Sequence, residues 1–298
     1  MPELPEVHTT VSGLKKVLPN KAFTYIWSNW PKMLKNTSLS RLRKIILNKK
    51  IIGVERMGKN IIINISGGSS LIIHMKMTGH LLFGEYVFDK KKDKYYPKLD
   101  GPLKDPYNRF IHFVFKLSDG NCLSFCDSRK FGSIDLIETS ELHLHRRLGA
   151  LGPEPISKEF SFVDFKKALH KKSYGKIKQV LMDQSVLSGI GNIYSDEILF
   201  ETGIHPEEKV SKINDAKMKI IYNSMRKILM RGIDFGGDSM SDYRNIYGEK
   251  GRFQERHKVY RKVGEKCSKK NCNGKICRIK VGGRSAHFCD VHQKLLGK

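Results

Sequence analysis

The chain has 298 residues, which is long enough for two domains with ordinary hydrophobic cores. Hydrophobic residues make up 39% of it without any run of about 18 apolar residues, so the composition indicates a folded soluble protein without a membrane-spanning helix. The 55 lysines and arginines outnumber 30 acidic residues, and the formal net charge of +25 favours a polyanionic partner, nucleic acid before an acidic membrane surface. The first residues lack the basic and apolar regions of a secretion signal, so we expect the protein to stay in the compartment where it is made.

The first predicted element is an amphipathic helix that follows the opening MPELPEV. Apolar residues recur at intervals of four, three and four, the spacing of one helical face, at Val7, Val11, Leu14 and Leu18. Pro5 suits the first turn of such a helix. Proline has no backbone N–H, and an N–H in the first turn has no acceptor within the helix. Helix packing does not explain Pro2, because the first residues of a chain are normally frayed and packing does not select them.

Residues 22–137 predict β-strands. The segments NIIINISG, SSLIIHMKMTGHLLFG and RFIHFVFKLSDGNCLSFCD have strand character, and SDGN in the last of them is a hairpin signal. Helices do not alternate with these strands, so we expect an antiparallel sandwich or barrel. Between two of the strands, a basic segment near residues 86–108 contains Pro and Gly and predicts a surface loop.

The composition changes at residues 139–157, where the Gly and Pro content indicates an interdomain linker. From there to about residue 235 the pattern is helical, and GGDSMSDYRNIYGEKGRF then predicts a glycine-rich loop. We therefore predict an α+β fold with two domains. An antiparallel β-sandwich with an N-terminal helix spans residues 1–138, and a helical domain over 158–256 continues into a cysteine-bearing hairpin over 257–298.

The cysteines near the C-terminus indicate a metal site rather than disulfides, because the chain shows no secretion signal. Two potential ligands precede a predicted hairpin and two follow it: Cys267, Cys272, Cys289 and His292. Such an arrangement can close a tetrahedral site for one structural Zn²⁺ ion. Cys277 competes with Cys272 for the second position. The alternation of the residues after Cys277 favours a place for it on the strand, facing the small core of the hairpin.

Two further features suit contacts with a nucleic-acid backbone. Gly191 and Asn192 belong to a glycine turn between two predicted helices, where a close backbone approach and exposed helix N–H groups can bind a phosphate. A dinucleotide-binding loop is disfavoured there, because a helix rather than a strand precedes the turn. Arg284, at the tip of the cysteine hairpin, suits a phosphate contact.

Seven segments carry a resemblance that runs essentially from end to end: MPELPEV, HMKMTGHL, DSRKFGSIDL, LGPEP, MDQSVLSGIGNIYSDEILFETGIHP, GGDSMSDYRNIYGEKG and GRSAHFC. They resemble the formamidopyrimidine-DNA glycosylase and endonuclease VIII family of base-excision repair enzymes, and more closely its formamidopyrimidine branch. The resemblance implies a helix-two-turns-helix motif within residues 158–256 and a zinc finger within 257–298. It also implies a partner, double-stranded DNA that contains damaged bases or abasic sites.

The resemblance further implies a glycosylase that is also an abasic-site lyase for oxidised purines, 8-oxoguanine and formamidopyrimidines. After removal of Met1, Pro2 would be a secondary amine that attacks C1′, expels the base and forms an iminium, and β,δ-elimination would then cleave the strand. An α-amine titrates at about pH 8, so part of it is unprotonated at neutral pH. Glu3 would protonate the sugar ring oxygen, Glu6 would orient this site, and Lys59 would contact the phosphate of the lesion nucleotide.

A flipped base leaves a hole in the duplex. Met77, Arg129 and Phe131 lie where the family has its void-filling residues, although Met77 and Phe131 also suit plain core positions. The loop GGDSMSDYRNIYGEKG corresponds to the region that covers the flipped base in the formamidopyrimidine branch.

Three departures from the family pattern bear on these expectations. Two extra residues separate Cys267 from Cys272, His292 replaces the last cysteine of the finger, and the segment near 86–108 is longer than in compact members.

Two related alternatives are an enzyme that prefers hydantoins or oxidised pyrimidines, as endonuclease VIII does, and a catalytically silent protein that binds damaged DNA. The charge alone also permits a zinc-ribbon protein that binds RNA or ribosomes. We expect a monomer that acts in the cytoplasm or wherever the genomic DNA resides.

Overall fold

The structure, a computed structural model, describes residues 1–296. The chain forms two compact units, the first from Met1–Gly149 with Ile233–Gln254, and the second from Ala150–Gly232 with the segment from Glu255 onward. No helix in the described part of the chain is long and apolar enough to cross a membrane.

The first unit contains two helices and ten strands. They are α1 (Leu4–Val17), β1 (Phe23–Ser28), α2 (Leu39–Ile46), β2 (Ile51–Met57), β3 (Asn60–Ile65), β4 (Ser69–His74), β5 (His80–Gly84), β6 (Tyr86–Asp89), β7 (Lys94–Pro97), β8 (Ile111–Leu117), β9 (Cys122–Cys126) and β10 (Ser133–Glu138).

Eight of these strands form two four-stranded antiparallel sheets, in the orders β1-β8-β9-β5 and β10-β4-β3-β2. One hydrophobic core joins their inner faces and includes Phe113 of the first sheet, Ile63 of the second and Val7 of α1. The sandwich alternative is therefore confirmed. The SDGN hairpin is confirmed too, because it connects the paired strands β8 and β9.

Helix α1 follows the spacing of its apolar residues. Val7 and Leu14 are fully buried, and Pro5 lies in the first turn, as predicted. The helix begins after Glu3, whose backbone N–H donates to Oε2 of Glu6 at 2.7 Å. This bond satisfies one of the amide groups that a helix start leaves without an acceptor in the helix.

The structure differs from the strand prediction in three places. Helix α2 interrupts the strands, because Ser38 caps it by accepting from Arg41 N and its Leu42 and Ile46 are buried one turn apart. The segment SSLIIHMKMTGHLLFG breaks at residues 75–79 into β4 and β5, which belong to different sheets.

The third difference concerns residues 86–108, which we call the insertion. Instead of a loop, they form the hairpin β6-β7 and two 3₁₀ turns, Pro102–Lys104 and Pro106–Arg109. Aromatic packing holds the hairpin on the sandwich, since the rings of Phe88 and Tyr95 lie 6.0 and 5.2 Å from the ring of Trp27.

In the part that the structure describes, the second unit contains four α-helices and one hairpin. They are α3 (Phe162–His170), α4 (Ile177–Met182), α5 (Asn192–Thr202), α6 (Asp215–Asp234), β11 (Ile276–Val281) and β12 (Arg284–Cys289). The buried Asp196 of α5 joins the hairpin to the helices. Its Oδ2 accepts from the backbone N of His287 at 3.0 Å and lies 2.8 Å from His287 Nδ1, while Lys178 Nζ lies 2.5 Å from Oδ1.

The compact units divide the chain differently from the predicted domains. The hairpin packs with the helices in one unit, because the contacts of Asp196 tie β12 to α5. Residues 233–254, which the prediction includes in the helical domain, cluster with the sandwich. Hydrogen bonds to α1 explain this, since Asp238 N and Tyr243 Oη both donate to Glu6.

Candidate active site and metal centre

The start of α1 brings two buried carboxyl groups together. Pro2 is buried, and Glu3 and Glu6 are 2% and 1% exposed. Both oxygens of Glu6 accept backbone N–H groups at 2.7 Å, Oε2 from Glu3 and Oε1 from Asp238. Burial, helped by the negative charge of Glu3, raises the pKa of Glu6 to about 7, although the two hydrogen bonds oppose the shift. Glu6 therefore changes its charge near neutral pH.

The nitrogen of Pro2 is part of the peptide bond with Met1 in this sequence. Met1 is 39% exposed, whereas Pro2 lies within the buried start of the helix. Removal of Met1 would leave a secondary amine at the N-terminal end of a helix, where the dipole disfavours the protonated form.

Lys59 lies in the tight turn between β2 and β3 and is only 5% exposed. The next residue, Asn60, pairs with His74 at the end of β4. Burial lowers the pKa of His74 to about 3, with further contributions from nearby positive charges that include Lys76 and Lys59. A neutral His74 thus lies among cationic groups, an arrangement suited to an anion.

The two turns that carry Met77, Arg129 and Phe131 are held together by the fully buried Asp127. Its Oδ1 accepts from the Thr78 hydroxyl and, at 3.2 Å, from Arg129 N, while Oδ2 accepts from Gly132 N at 2.6 Å. Met77 is half-buried and Phe131 is 50% exposed. The guanidinium carbon of the exposed Arg129 lies 4.6 Å from the centroid of the Phe131 ring.

Asp127 is not among the predicted site residues, although it lies inside the DSRKFG motif. Its signal in the sequence is weak, because an acidic residue after a strand is more often a turn residue than a buried acceptor. In the structure its carboxylate accepts three hydrogen bonds, one from the turn that carries Met77 and two from the turn that carries Arg129 and Phe131.

Residues 237–243, which we call the loop, contact both the start of α1 and the Arg129 turn. At one end Asp238 N donates to Glu6, and a Cβ on Gly237, at φ +84°, would lie 2.9 Å from Cγ of Glu6. At the other end Ser128 Oγ donates to Asp242 Oδ1 at 3.0 Å, and the Tyr243 hydroxyl donates to the Glu6 carbonyl at 2.9 Å. The loop therefore borders the buried carboxyl groups and the exposed Arg129.

The residues predicted to contact a backbone phosphate lie in the second unit. Gly191 is the N-cap of α5 and Asn192 is its first residue. Within residues 1–296, the buried Oδ1 of Asn192 has no hydrogen-bond partner. Arg284 begins β12, is exposed and lines a cleft of about 460 Å³ together with Lys172 and Gln179.

The structure brings together Cys267, Cys272, Cys289 and His292, whose ligand atoms all lie within 4.8 Å of one another. Cys272 Sγ lies 3.6 Å from Cys289 Sγ and 3.8 Å from His292 Nδ1, and Cys267 Sγ lies 3.4 Å from His292 Nδ1. Nε2 of His292 lies 3.1 Å from the Phe200 carbonyl, so that Nδ1 is the ring nitrogen left for a metal. These four side chains could hold a metal ion.

Cys277 is not part of this group. It lies on β11, where it pairs with Phe288 of β12. The competition between Cys272 and Cys277 that the sequence leaves open has a geometric answer here, because only Cys272 offers its sulfur to the other three ligands among the residues described.

Comparisons with known proteins agree with this arrangement. The model of the formamidopyrimidine-DNA glycosylase N-terminal domain matches residues 1–134, and that of the formamidopyrimidine-DNA glycosylase H2TH domain matches residues 151–244. The formamidopyrimidine-DNA glycosylase of Pelotomaculum thermopropionicum is 35% identical over 295 residues, 99% of this chain and 100% of the relative. That of Streptococcus thermophilus is 37% identical over the same length and the same shares.

Solved structures give the same result. The Lactococcus lactis Fpg in complex with DNA that contains an abasic site matches with a TM-score of 0.83 and 33% identity, over 98% of this chain and 99% of that one. A MutM in complex with DNA containing carbocyclic 8-oxo-G matches with the same TM-score and identity, over 98% of this chain and 100% of that one. The chain therefore belongs to the formamidopyrimidine-DNA glycosylase family of DNA repair enzymes.

Proposed function

We propose that this enzyme excises oxidised purines, 8-oxoguanine and formamidopyrimidines, from double-stranded DNA and then cleaves the strand at the abasic site. The observation that carries the proposal is the buried start of α1, where Pro2 precedes Glu3 and Glu6. Relatives that share this chain's full length are named formamidopyrimidine-DNA glycosylase, and similar structures hold DNA with an abasic site or an 8-oxo-G analogue. The enzyme acts as a monomer wherever the genomic DNA resides.

Pro2 is the proposed nucleophile once Met1 has been removed. A bond forms from its nitrogen to C1′ as the C1′–N bond to the base breaks, and the base leaves with the electron pair and takes up a proton. Glu3 protonates the sugar ring oxygen as the ring opens, and a secondary amine then gives an iminium without further proton loss. Because the iminium acidifies the C2′ proton, the 3′ phosphate leaves by β-elimination and the 5′ phosphate by δ-elimination.

The remaining site residues bind and shape the DNA. Lys59 contacts the phosphate of the lesion nucleotide, and the cationic surroundings of His74 support this role. Met77, Arg129 and Phe131 fill the space that the flipped base leaves, with Asp127 fixing their turns. The DNA backbone is contacted by three residues of the second unit. They are Gly191 and Asn192 at the start of α5 and Arg284 at the start of β12.

The segment GGDSMSDYRNIYGEKG covers the flipped base in this proposal, and the loop over residues 237–243 belongs to it. Its contacts with Glu6 and with Ser128 support the role, because they put the loop between the catalytic helix start and the Arg129 turn. The alternative substrates are hydantoins and oxidised pyrimidines, as in endonuclease VIII, and the alternative of a silent protein that binds damaged DNA shares the same scaffold.

A panel of duplex and single-stranded oligonucleotides tests the substrate. Each carries 8-oxoguanine, a formamidopyrimidine, a hydantoin or an oxidised pyrimidine at the same position. We expect the fastest single-turnover excision from duplexes with 8-oxoguanine or formamidopyrimidine, followed by strand cleavage. Excision of oxidised pyrimidines alone would contradict the choice of branch, and tight binding without any product would favour the silent protein.

The metal of the cysteine cluster is proposed to be one structural Zn²⁺ ion. In a tetrahedral zinc site with sulfur at about 2.3 Å, neighbouring sulfurs lie about 3.8 Å apart. The 3.6 Å between Cys272 and Cys289 is close to this edge length. When bound, zinc crosslinks the two ends of the β11-β12 hairpin and so fixes Arg284 at its tip.

Two serine substitutions test the ligand set. We expect Cys272→Ser to lose the zinc, measured by mass spectrometry of the metal in the purified chain, and to lower the melting temperature of the second unit. Cys277→Ser is the matched control, because it makes the same chemical change outside the cluster and should keep one zinc per chain. Loss of zinc from Cys277→Ser with retention in Cys272→Ser would reverse the assignment.

A further inference from the structure

Arg244, which follows the loop directly, is one of the largest fully buried side chains of the protein. Its Nη2 lies 3.1 Å from Oδ1 and 3.2 Å from Oδ2 of Asp105, and its guanidinium carbon lies 4.6 Å from the centroid of the Tyr107 ring. The side chain of Arg244 is 1% exposed and that of Asp105 is 20% exposed. A charge buried to this extent needs a partner, and here the insertion supplies it.

Asp105 is itself held in place. It caps the 3₁₀ turn Pro106–Arg109 by accepting from Tyr107 N at 2.9 Å through the same Oδ1 that faces Arg244. The partner of Arg244 is therefore a fixed carboxylate rather than a mobile surface group.

The other guanidinium nitrogen acts on the loop. Nη1 of Arg244 donates to the carbonyl of Ser241 at 3.0 Å and to that of Tyr243 at 2.8 Å. The Tyr243 carbonyl also accepts from Ser239 Oγ at 2.7 Å. Arg244 thus gathers two carbonyls of the loop, and Asp242 between them is the residue that accepts from Ser128.

Further contacts join the backbone after the loop to the insertion. Nδ2 of Asn108 donates to the Gly248 carbonyl at 3.4 Å, and Oδ1 of Asn108 lies 2.9 Å from His80 Nε2. A Cβ on Gly248, at φ +86°, would lie 2.6 Å from the Pro102 carbonyl oxygen, so the two backbones approach as closely as glycine allows. The insertion is therefore the support on which this end of the loop rests.

We propose that Asp105 and Arg244 are positioning residues that hold the loop in the shape needed to fix a flipped base for excision. This inference rests on the proposed function, since it assigns the loop a base to cover. It predicts an effect that depends on the substrate. A lesion that carries a base needs the loop in place, whereas an abasic site offers no base and needs only Pro2 and its surroundings.

Two duplexes of the same sequence test the pair, one with 8-oxoguanine and one with an abasic site at the same position. For Asp105→Asn and Arg244→Met we expect single-turnover excision of 8-oxoguanine to slow by about tenfold to a hundredfold, the usual effect of a misplaced positioning group. Cleavage of the abasic duplex should stay within about twofold of the wild type, because the Glu6 carboxyl beside Pro2 is held by Glu3 N and Asp238 N, and Arg244 bonds to neither.

Asp105→Asn keeps an oxygen that can accept from Tyr107 N, so the 3₁₀ turn retains its cap. Asp100→Asn is the matched control, since it removes the same charge from the same insertion at a carboxyl that is 95% exposed and paired with Lys104. This control should leave both rates unchanged. Arg244→Lys keeps the charge but not the two-pronged contact, and we expect an intermediate ratio of the two rates.

Three results would overturn the inference. If Asp105→Asn and Arg244→Met slow both substrates equally, the pair only stabilises the fold. If they slow neither, the loop does not depend on the pair. In both cases the wild type still processes both duplexes and the proposed function stands, whereas a wild type that processes neither would overturn the proposed function and the inference with it.

Discussion

A chain with a Gly-Ser extension fixed in front of Pro2 should give no covalent adduct when it is mixed with abasic DNA and borohydride. The mature chain that begins at Pro2 should give such an adduct at high yield. The reason is chemical, because an amide nitrogen has no free electron pair for attack on C1′, whereas a terminal secondary amine has one. We expect the adduct to fall by on the order of a thousandfold or more, the loss that follows removal of a nucleophile.

The comparison needs two preparations that differ only at the terminus. One begins at Pro2, verified by intact mass, and the other carries a Gly-Ser extension ahead of it. Binding of both to the abasic duplex is measured first, so that a missing adduct is not mistaken for missing DNA. Equal adduct from both chains would identify another amine as the nucleophile, with the buried Lys59 the first to test by substitution.

The elements predicted correctly from the sequence depend on local patterns. The apolar spacing that predicts α1 and the SDGN signal that predicts a hairpin both come from residues close together in the sequence. The structure contains the helix and the hairpin. Helix α2 is not predicted, because its eight residues are too few to show a helical spacing of apolar residues between the neighbouring strands. The insertion predicts a loop because the packing of Phe88 and Tyr95 on the distant Trp27 leaves no local pattern in the sequence.

The candidate site shows the same limit more clearly. Pro2, Glu3 and the cysteine cluster come from motifs that the sequence displays. The hydrogen bond from Asp238 to Glu6 and the ion pair of Asp105 with Arg244 link residues 232 and 139 positions apart. Such pairs depend on the whole fold, so no local pattern predicts them. The same contacts explain why residues 233–254 join the sandwich and not the helical unit.

Replacing Glu6 by glutamine should remove a large part of the pH dependence of stability between pH 4.5 and 7. The folded chain holds the pKa of Glu6 at about 7, above its ordinary value of 4.5, chiefly because the carboxyl group is buried. Below pH 4.5 Glu6 is protonated in both the folded and the unfolded chain. As the pH rises from 4.5 to 7, only the unfolded chain ionises it, and folding loses about 3 kcal/mol by proton linkage.

The measurement is the free energy of unfolding by urea at a series of pH values from 4.5 to 8. The difference between wild type and Glu6→Gln isolates this carboxyl group from the other titrating residues, and we expect it to move in favour of Glu6→Gln by about 3 kcal/mol across the series.

Tyr243→Phe is the control from the same site. It removes the hydroxyl that donates to the Glu6 carbonyl but leaves the carboxyl group to titrate, so its offset from the wild type should show no such trend. A constant offset for Glu6→Gln at every pH would mean that the folded chain leaves Glu6 ionised throughout. The N–H donors of Glu3 and Asp238 would then help to stabilise a buried carboxylate, and the helix start would hold a permanent negative charge beside Pro2.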